Sequence, residues 1–335
     1  MKAKNVMYVI DTHTEGEPTR IVLAGIPNLE GSTLREKRRF LAEKLDWLRT
    51  ALLLEPRGHD NQFGAMLLPA TSKDADYALI FMDTAGFLDM CGHATIGVTT
   101  ALIELGIAEA KEPHTTVRYE TVAGIVTARA RIENESVQEV SIVDVPSFYL
   151  GTFDVSMGEA KTLEIDVAYG GNFYAIIDAE KLETRVRLAR IDQLITKGIA
   201  LRDIAAKQIS VYHPEIPDIS RKIELVMITD EPELSGSHGK NIVVFGKSQF
   251  DRSPCATGTA ARLASMYSKG LIKPGELFVH ESVINTTFRS KILETVKIGR
   301  HDAVVPEITG RAFITQVSNL VINPEDPFRN GFSVF

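Results

Sequence analysis

Cysteine is scarce in this sequence: two residues among 335. So few cannot form a disulfide framework, and in a reducing compartment both are expected to stay thiols. No apolar run is long enough to cross a bilayer. Met1-Lys-Ala-Lys-Asn5 leads straight into the strand-like Val6-Met-Tyr-Val-Ile10 with no signal-peptide core, so a cytoplasmic location is expected. Basic residues are dispersed and the formal net charge is −7, which favours neither a nucleic acid nor an anionic membrane surface as partner. The scattered histidines, His59, His114, His213, His238, His280 and His301 among them, lack a spacing such as His-x-x-x-His, so no metal is expected. Neither a Gly-x-Gly-x-x-Gly run nor a phosphate-loop pattern occurs, and a nucleotide cofactor has no support.

What is present is ordinary for a compact globular chain, with 44% hydrophobic and 24% charged residues. The length predicts two domains of about 150 residues each. The order of periodic segments repeats. In the first half, strand-like residues 6–10 and 20–24 flank the turn-rich His13-Thr-Glu-Gly-Glu-Pro18, and one helix is expected over 34–54 from Phe40, Leu41, Leu45, Leu48 and Leu52. The strand-like residues 77–82 and a turn at Asp83-Thr-Ala-Gly86 then deliver the chain to the first cysteine. β-Branched runs over 116–132 and 137–145 close this half.

From about residue 163 the pattern restarts, with strands over 163–168 and 173–177 around Gly170-Gly-Asn172. A helix follows over 186–207, which Gly198 should weaken or split. Residues 223–228 and 241–245 lead to the second cysteine, and further strands are expected over 277–287 and 295–298. The expected architecture is α+β in two pseudo-symmetric halves: residues 1–155, joined by the C-terminal segment 322–335, and residues 156–321.

Each half carries one thiol in the same local context. Cys91 lies in Asp89-Met-Cys-Gly-His-Ala-Thr-Ile-Gly97 and Cys255 in Asp251-Arg-Ser-Pro-Cys-Ala-Thr-Gly-Thr259. Both precede a helical stretch, and at the same interval each is followed by a glycine, Gly106 and Gly270. A thiol at a helix start feels unpaired N–H groups and the positive end of the dipole, which favour thiolate. The same N–H groups suit a carboxylate. Two such thiols on opposite faces of one substrate could take a proton from Cα and return another to the opposite face. Either cysteine alone reads more readily as a small buried hydrophobe, His93 equally as a core histidine, and Asp251 in the usual way as a cap or turn former. The repetition is what favours chemistry. His13 and Glu15 are open between a role at the site and a plain turn.

Met90-Cys-Gly-His93 and Asp251-Arg-Ser-Pro-Cys-Ala-Thr-Gly258 resemble the two signature segments of the proline racemase family, which includes hydroxyproline epimerases and a hydroxyproline dehydratase. Asp11-Thr-His-Thr-Glu-Gly-Glu-Pro-Thr-Arg20, Pro56-Arg-Gly-His-Asp60 with Phe63-Gly-Ala65, and Asn323-Pro-Glu-Asp-Pro-Phe328 extend the resemblance over nearly the whole chain. It implies a diaminopimelate-epimerase-like fold, strands wrapped around a central helix in each half, a ligand in the cleft between halves, no cofactor and a homodimer. It implies Cys91 and Cys255 as paired acid and base, and Asp251 and His93 as holders of a ring nitrogen. The N–H groups of Gly92, His93, Ala256 and Thr257 would hold the carboxylate. Ala256 stands where the family usually has glycine, which narrows the approach. Cys255 separates the chain from the dehydratase, which has threonine there. Phe63, Leu88 and Phe245 fall where proline-specific members wall the ring with apolar groups, so proline is the favoured substrate and 4-hydroxyproline the alternative. A binding protein that keeps the fold without turnover is a third reading, disfavoured because binding does not need two proton carriers.

Overall fold

A computed structural model describes residues 5–158, 161–217, 219 and 221–334. Residues 1–4, part of the expectation about the N-terminus, lie outside it. In chain order the elements are β1 (Asn5–Thr14), β2 (Glu17–Ala24), α1 (Leu34–Lys44), α2 (Asp46–Leu53), β3 (Gly64–Pro69), β4 (Tyr77–Met82), β5 (Phe87–Leu88), α3 (Gly92–Glu104), β6 (His114–Glu120), β7 (Ile125–Glu133) and β8 (Ser136–Val143). There follow β9 (Ser147–Ser156), β10 (Thr162–Tyr169), β11 (Phe173–Asp178), α4 (Ile191–Gln208), β12 (Leu225–Asp230), β13 (Gly239–Phe245), β14 (Gln249–Phe250), α5 (Ala256–Ser268), β15 (Phe278–Ser282), β16 (Thr287–Ile298), β17 (His301–Gly310) and β18 (Ala312–Ile322). Two compact units emerge, one of Met1–Asp89, Ala94–Val140 and Arg311–Phe335, the other of Met90–His93 and Ser141–Gly310.

In the first unit β18 pairs antiparallel with β1 and β1 with β2, β2 runs parallel to β3, β3 is antiparallel to β4, β4 parallel to β6, and β6 antiparallel to β7. The second unit repeats that sequence of pairings strand for strand. There β9, β10 and β11 are successively antiparallel, β11 is parallel to β12, β12 antiparallel to β13, β13 parallel to β15 and β15 antiparallel to β16. Pairing of β16 with β17, and of β17 back to β9, closes this sheet into a barrel without an open edge.

Each unit buries one helix. From Gly92 to Ile103 every residue of α3 is buried. Its Thr99 hydroxyl lies 3.0 Å from the Tyr119 hydroxyl of β6, and a Cβ at Gly97 would meet Thr12 Oγ1 of β1 at 2.6 Å, so glycine there permits the approach. In the barrel, α5 packs against β9, β10, β11, β16 and β17. Both helices end alike: Gly106 and Gly270 take φ of +68° and +70°, and the next residues, Ile107 and Leu271, donate N–H bonds to Leu102 and Met266. That left-handed close is cheap only for glycine.

Two local expectations are corrected. The helix expected over 34–54 is two helices, because Leu45 leaves helical geometry at φ −131° and ends α1. Gly198 does not split the later helix: α4 runs through it, and a Cβ there would sit 2.9 Å from Val244 Cβ, so the glycine lets α4 lie close on β13.

An aromatic cluster fastens the barrel. Phe148 is fully buried, stacks on Tyr169 and His301 with centroids 5.1 Å away in each case, and meets Phe173 and His213 edge-on. Phe148→Ala should cost about 3–5 kcal/mol, read as a lower midpoint in urea denaturation. An unchanged midpoint would remove Phe148 from the barrel's supports.

Candidate active site

The site is built from two helix starts that lie in one unit. Cys91 immediately precedes α3 and Cys255 immediately precedes α5. Both side chains are 5% exposed and neither forms a disulfide. The starts touch: a Cβ added at Gly92 would lie 2.4 Å from Ala256 Cβ, well inside van der Waals contact. The methyl that narrows the approach at Ala256 is thus accommodated by the missing side chain at Gly92.

A tight turn between β10 and β11 holds both segments. Asn172 donates its side-chain N–H to the Met90 carbonyl at 2.8 Å, fixing the residue before Cys91. A Cβ at Gly170 would meet the Thr257 carbonyl at 2.3 Å, and one at Gly171, at φ +90°, would meet Met90 Cβ at 2.8 Å. Two residues on, in β11, Tyr174 places its hydroxyl 3.4 Å from Cys255 Sγ and 2.6 Å from Thr257 Oγ1. In the sequence Gly170-Gly-Asn172 shows only as a turn and Tyr174 only as part of a strand. The signal available was an amide and a phenol inside an otherwise apolar run.

Beside Cys91, His93 Nδ1 lies 3.2 Å from Sγ. Burial lowers the His93 pKa to about 3, so the ring is neutral at neutral pH and positions the thiol as a dipole. Beside Cys255, Asp251 Oδ1 accepts from the Ser253 N–H at 2.8 Å and hydroxyl at 2.7 Å, and Ser253 Oγ accepts from the Cys255 N–H at 3.1 Å. This chain holds Cys255 at φ +60°, ψ +102°, a conformation that costs a non-glycine residue about 1–3 kcal/mol and concentrates at functional positions. Asp251 is buried, and desolvation holds its carboxyl up at about 6 despite the Ser253 bonds.

The downward shift expected of a helix-start thiol is not what Cys255 has. Burial pushes its pKa well up and the Asp251 charge adds to that, while the Tyr174 hydroxyl and Gly258 N–H pull the other way and lose. At neutral pH Cys255 therefore rests as a thiol. Desolvation outweighs the helix end because the site is closed to water.

Gly92, His93, Ala256 and Thr257 form the first turns of α3 and α5, where N–H groups have no acceptor within their own helix. Phe245 is buried at the end of β13, opposite Gln249 and ahead of Asp251. Phe63 and Leu88 belong to the first unit, Phe63 buried just before β3 and Leu88 half-buried on β5. His13, whose ring meets Phe313 at a tilt, and Glu15, which accepts the Arg311 N–H, serve the β1–β2 turn there. Among the described residues no group of three or more His, Cys, Asp or Glu could hold a metal ion.

The family model "Proline racemase" matches residues 9–333. The chain belongs to the proline racemase family. It is 46% identical to the proline racemase of Acetoanaerobium sticklandii over 100% of both chains, and 40% identical to the 4-hydroxyproline epimerase of Brucella suis over 99% of both. Among solved structures, a hydroxyproline epimerase from Agrobacterium vitis with bound trans-4-hydroxy-L-proline superposes with a TM-score of 0.94 at 33% identity, over 100% of this chain and 97% of that one. The proline racemases and 4-hydroxyproline epimerases that it matches are isomerases of amino acids, and the diaminopimelate-epimerase-like fold is the one described above.

Contact between the two helix starts makes Gly92 and Ala256 a coupled pair. Gly92→Ala should lower kcat/KM strongly, and Ala256→Gly in the same protein should recover part of the loss, a coupling of about 0.5–3 kcal/mol in a double-mutant cycle. Additive effects would mean that the starts do not press on each other.

Proposed function

We propose that the chain interconverts L- and D-proline without a cofactor, using Cys91 and Cys255 as the two proton carriers. The observation that carries the reading is the meeting of the two helix starts, each led by a thiol, through Gly92 and Ala256. One sulfur enters the cycle as thiolate and takes the Cα proton, so the C–H bond breaks and an S–H bond forms. The electron pair left on Cα spreads into the carboxylate, and the other thiol gives its proton to the opposite face. Product leaves with the protonation of the two sulfurs exchanged. The first-turn N–H groups of Gly92, His93, Ala256 and Thr257 hold the carboxylate, where charge develops. Asp251 holds the ring nitrogen as a carboxylate, with neutral His93 beside it. Phe245, in the same unit as the two thiols, walls the ring.

The similarity to 4-hydroxyproline epimerases keeps 2-epimerisation of 4-hydroxyproline as a second reading, with the same proton transfers and a different pocket wall. A homodimer acting in the cytoplasm goes with either reading. Among the described residues no helix is long and apolar enough to cross a membrane.

Purified protein given L-proline, with neither pyridoxal phosphate nor metal, should carry the optical rotation to zero. No change would sink the proposal, and turnover of trans-4-hydroxy-L-proline alone would select the second reading. Cys91→Ser and Cys255→Ser should each abolish racemisation, whereas full activity in either would contradict two-base inversion.

The pH profile tests Asp251. Its carboxyl is charged above about 6 and neutral below. In the acid range kcat/KM should therefore fall as pH drops through that value, and a flat acid limb would remove Asp251 from nitrogen binding.

A further inference from the structure

Two-base inversion, on which this inference rests, makes a demand that the machinery above does not meet. Each sulfur must be comfortable both as thiol and as thiolate, with no large rearrangement between turnovers. Around Cys255 most polar groups have a fixed direction. Asp251 as a carboxylate only accepts, Ser253 spends its hydroxyl proton on Asp251 Oδ1, and the Gly258 N–H only donates.

The pair formed by Tyr174 and Thr257 is different. Tyr174 reaches in from β11, its side chain wholly buried, with its oxygen 3.4 Å from Cys255 Sγ and 2.6 Å from Thr257 Oγ1. Thr257 Oγ1 itself is 4.0 Å from the sulfur, so the phenol is the link. A buried phenol usually meets a carbonyl or carboxylate, which fixes the direction of its bond. Here both partners can donate or accept, and nothing fixes it.

We propose that Tyr174, with Thr257, is a positioning residue that serves both protonation states of Cys255 by reversing the direction of this hydrogen-bond chain. With the sulfur as thiolate, the Thr257 hydroxyl donates to the Tyr174 oxygen and the Tyr174 hydroxyl donates to sulfur. Once sulfur has taken the Cα proton, the phenolic hydrogen swings to Thr257 Oγ1 and the phenol oxygen accepts from S–H. No covalent O–H bond breaks and no heavy atom moves. The phenol keeps its proton throughout, since burial raises its ionisation far above the working range.

Charged and titratable groups facing Cys255 are Asp251 on its own segment, with Arg252 beside that carboxylate, and Tyr174 from the strand packed against it. Of these, Asp251 opposes the thiolate and Tyr174 favours it. Cys91 has the neutral His93 ring as its neighbour instead, so the two sulfurs are tuned by different chemistry.

The chain's two cysteines allow a direct test, because Cys91→Ser leaves Cys255 as the only sulfhydryl. In that background, the pH midpoint of Cys255 alkylation by iodoacetamide is followed with and without Tyr174→Phe. Loss of a hydrogen bond to the charged sulfur should move the midpoint up by about one pH unit or more. Thr257→Val keeps the phenol but removes the hydroxyl that orients it, and should move the midpoint the same way by less.

With both cysteines present, Tyr174→Phe should lower kcat/KM about tenfold for L- and D-proline equally, as an equilibrium constant of unity demands. Superimposable alkylation profiles in folded Tyr174→Phe protein, by circular dichroism, overturn the proposal. If that variant does not fold, an unmoved midpoint in Thr257→Val overturns it. Inactivity of the unsubstituted protein would instead count against the racemase reading and leave the alkylation result to stand on its own.

Discussion

The close approach of Gly92 to Ala256 is the constraint on which the site depends. Two helix starts meet only if one gives up its side chain, and α3 does so at the residue after Cys91. The two helix starts, and the thiols that precede them, are thereby brought together within one unit. The β10–β11 turn enforces the arrangement, with Asn172 on the Met90 carbonyl and Gly170 against the backbone of α5. Glycine is required at Gly170 because its backbone lies against that of Thr257 and Ala261, and at Gly171 because its φ is +90° and the Met90 side chain fills the space a Cβ would take.

Burial does two opposite things here. It drives His93 to a neutral ring and keeps Cys255 a thiol, so neither group carries charge at rest. It also makes each remaining dipole count for more, because the Gly258 N–H, the Tyr174 hydroxyl and the helix ends act without competing water. Asp251, charged above about 6, keeps a carboxylate among these neutral groups. Strain at Cys255, held at positive φ by the Asp251–Ser253 chain, belongs to the same preorganisation.

Much of this was legible from residue types and spacing. The two cysteine segments, with Gly106 and Gly270 at equal intervals, mark helices that begin and end alike, and the structure gives them matching left-handed closes. The restart near residue 163 corresponds to a strand pairing order that recurs step by step in the second unit. What could not be read depends on distant partners. Gly198 looked like a helix breaker because its neighbour, Val244, lies far along the chain. The break at Leu45 divides a continuous apolar periodicity. Tyr174 and Asn172 fall in an ordinary strand and turn, and only the closed barrel brings them to the thiols. The direction of the Cys255 shift is hidden from the sequence for the same reason: a helix end can be inferred locally, whereas desolvation is a property of everything packed around it.

The central claim, two proton carriers on opposite faces of one Cα, is tested most directly by isotope distribution at low conversion. L-Proline is incubated in deuterium oxide, the reaction is stopped early, and deuterium at Cα is measured separately in the D-proline formed and the L-proline recovered. Two carriers predict deuterium in the product and almost none in the recovered substrate, because the abstracted proton returns only to the face it left. Equal deuterium in both pools would mean that one exchanging base serves both faces, and would contradict the account.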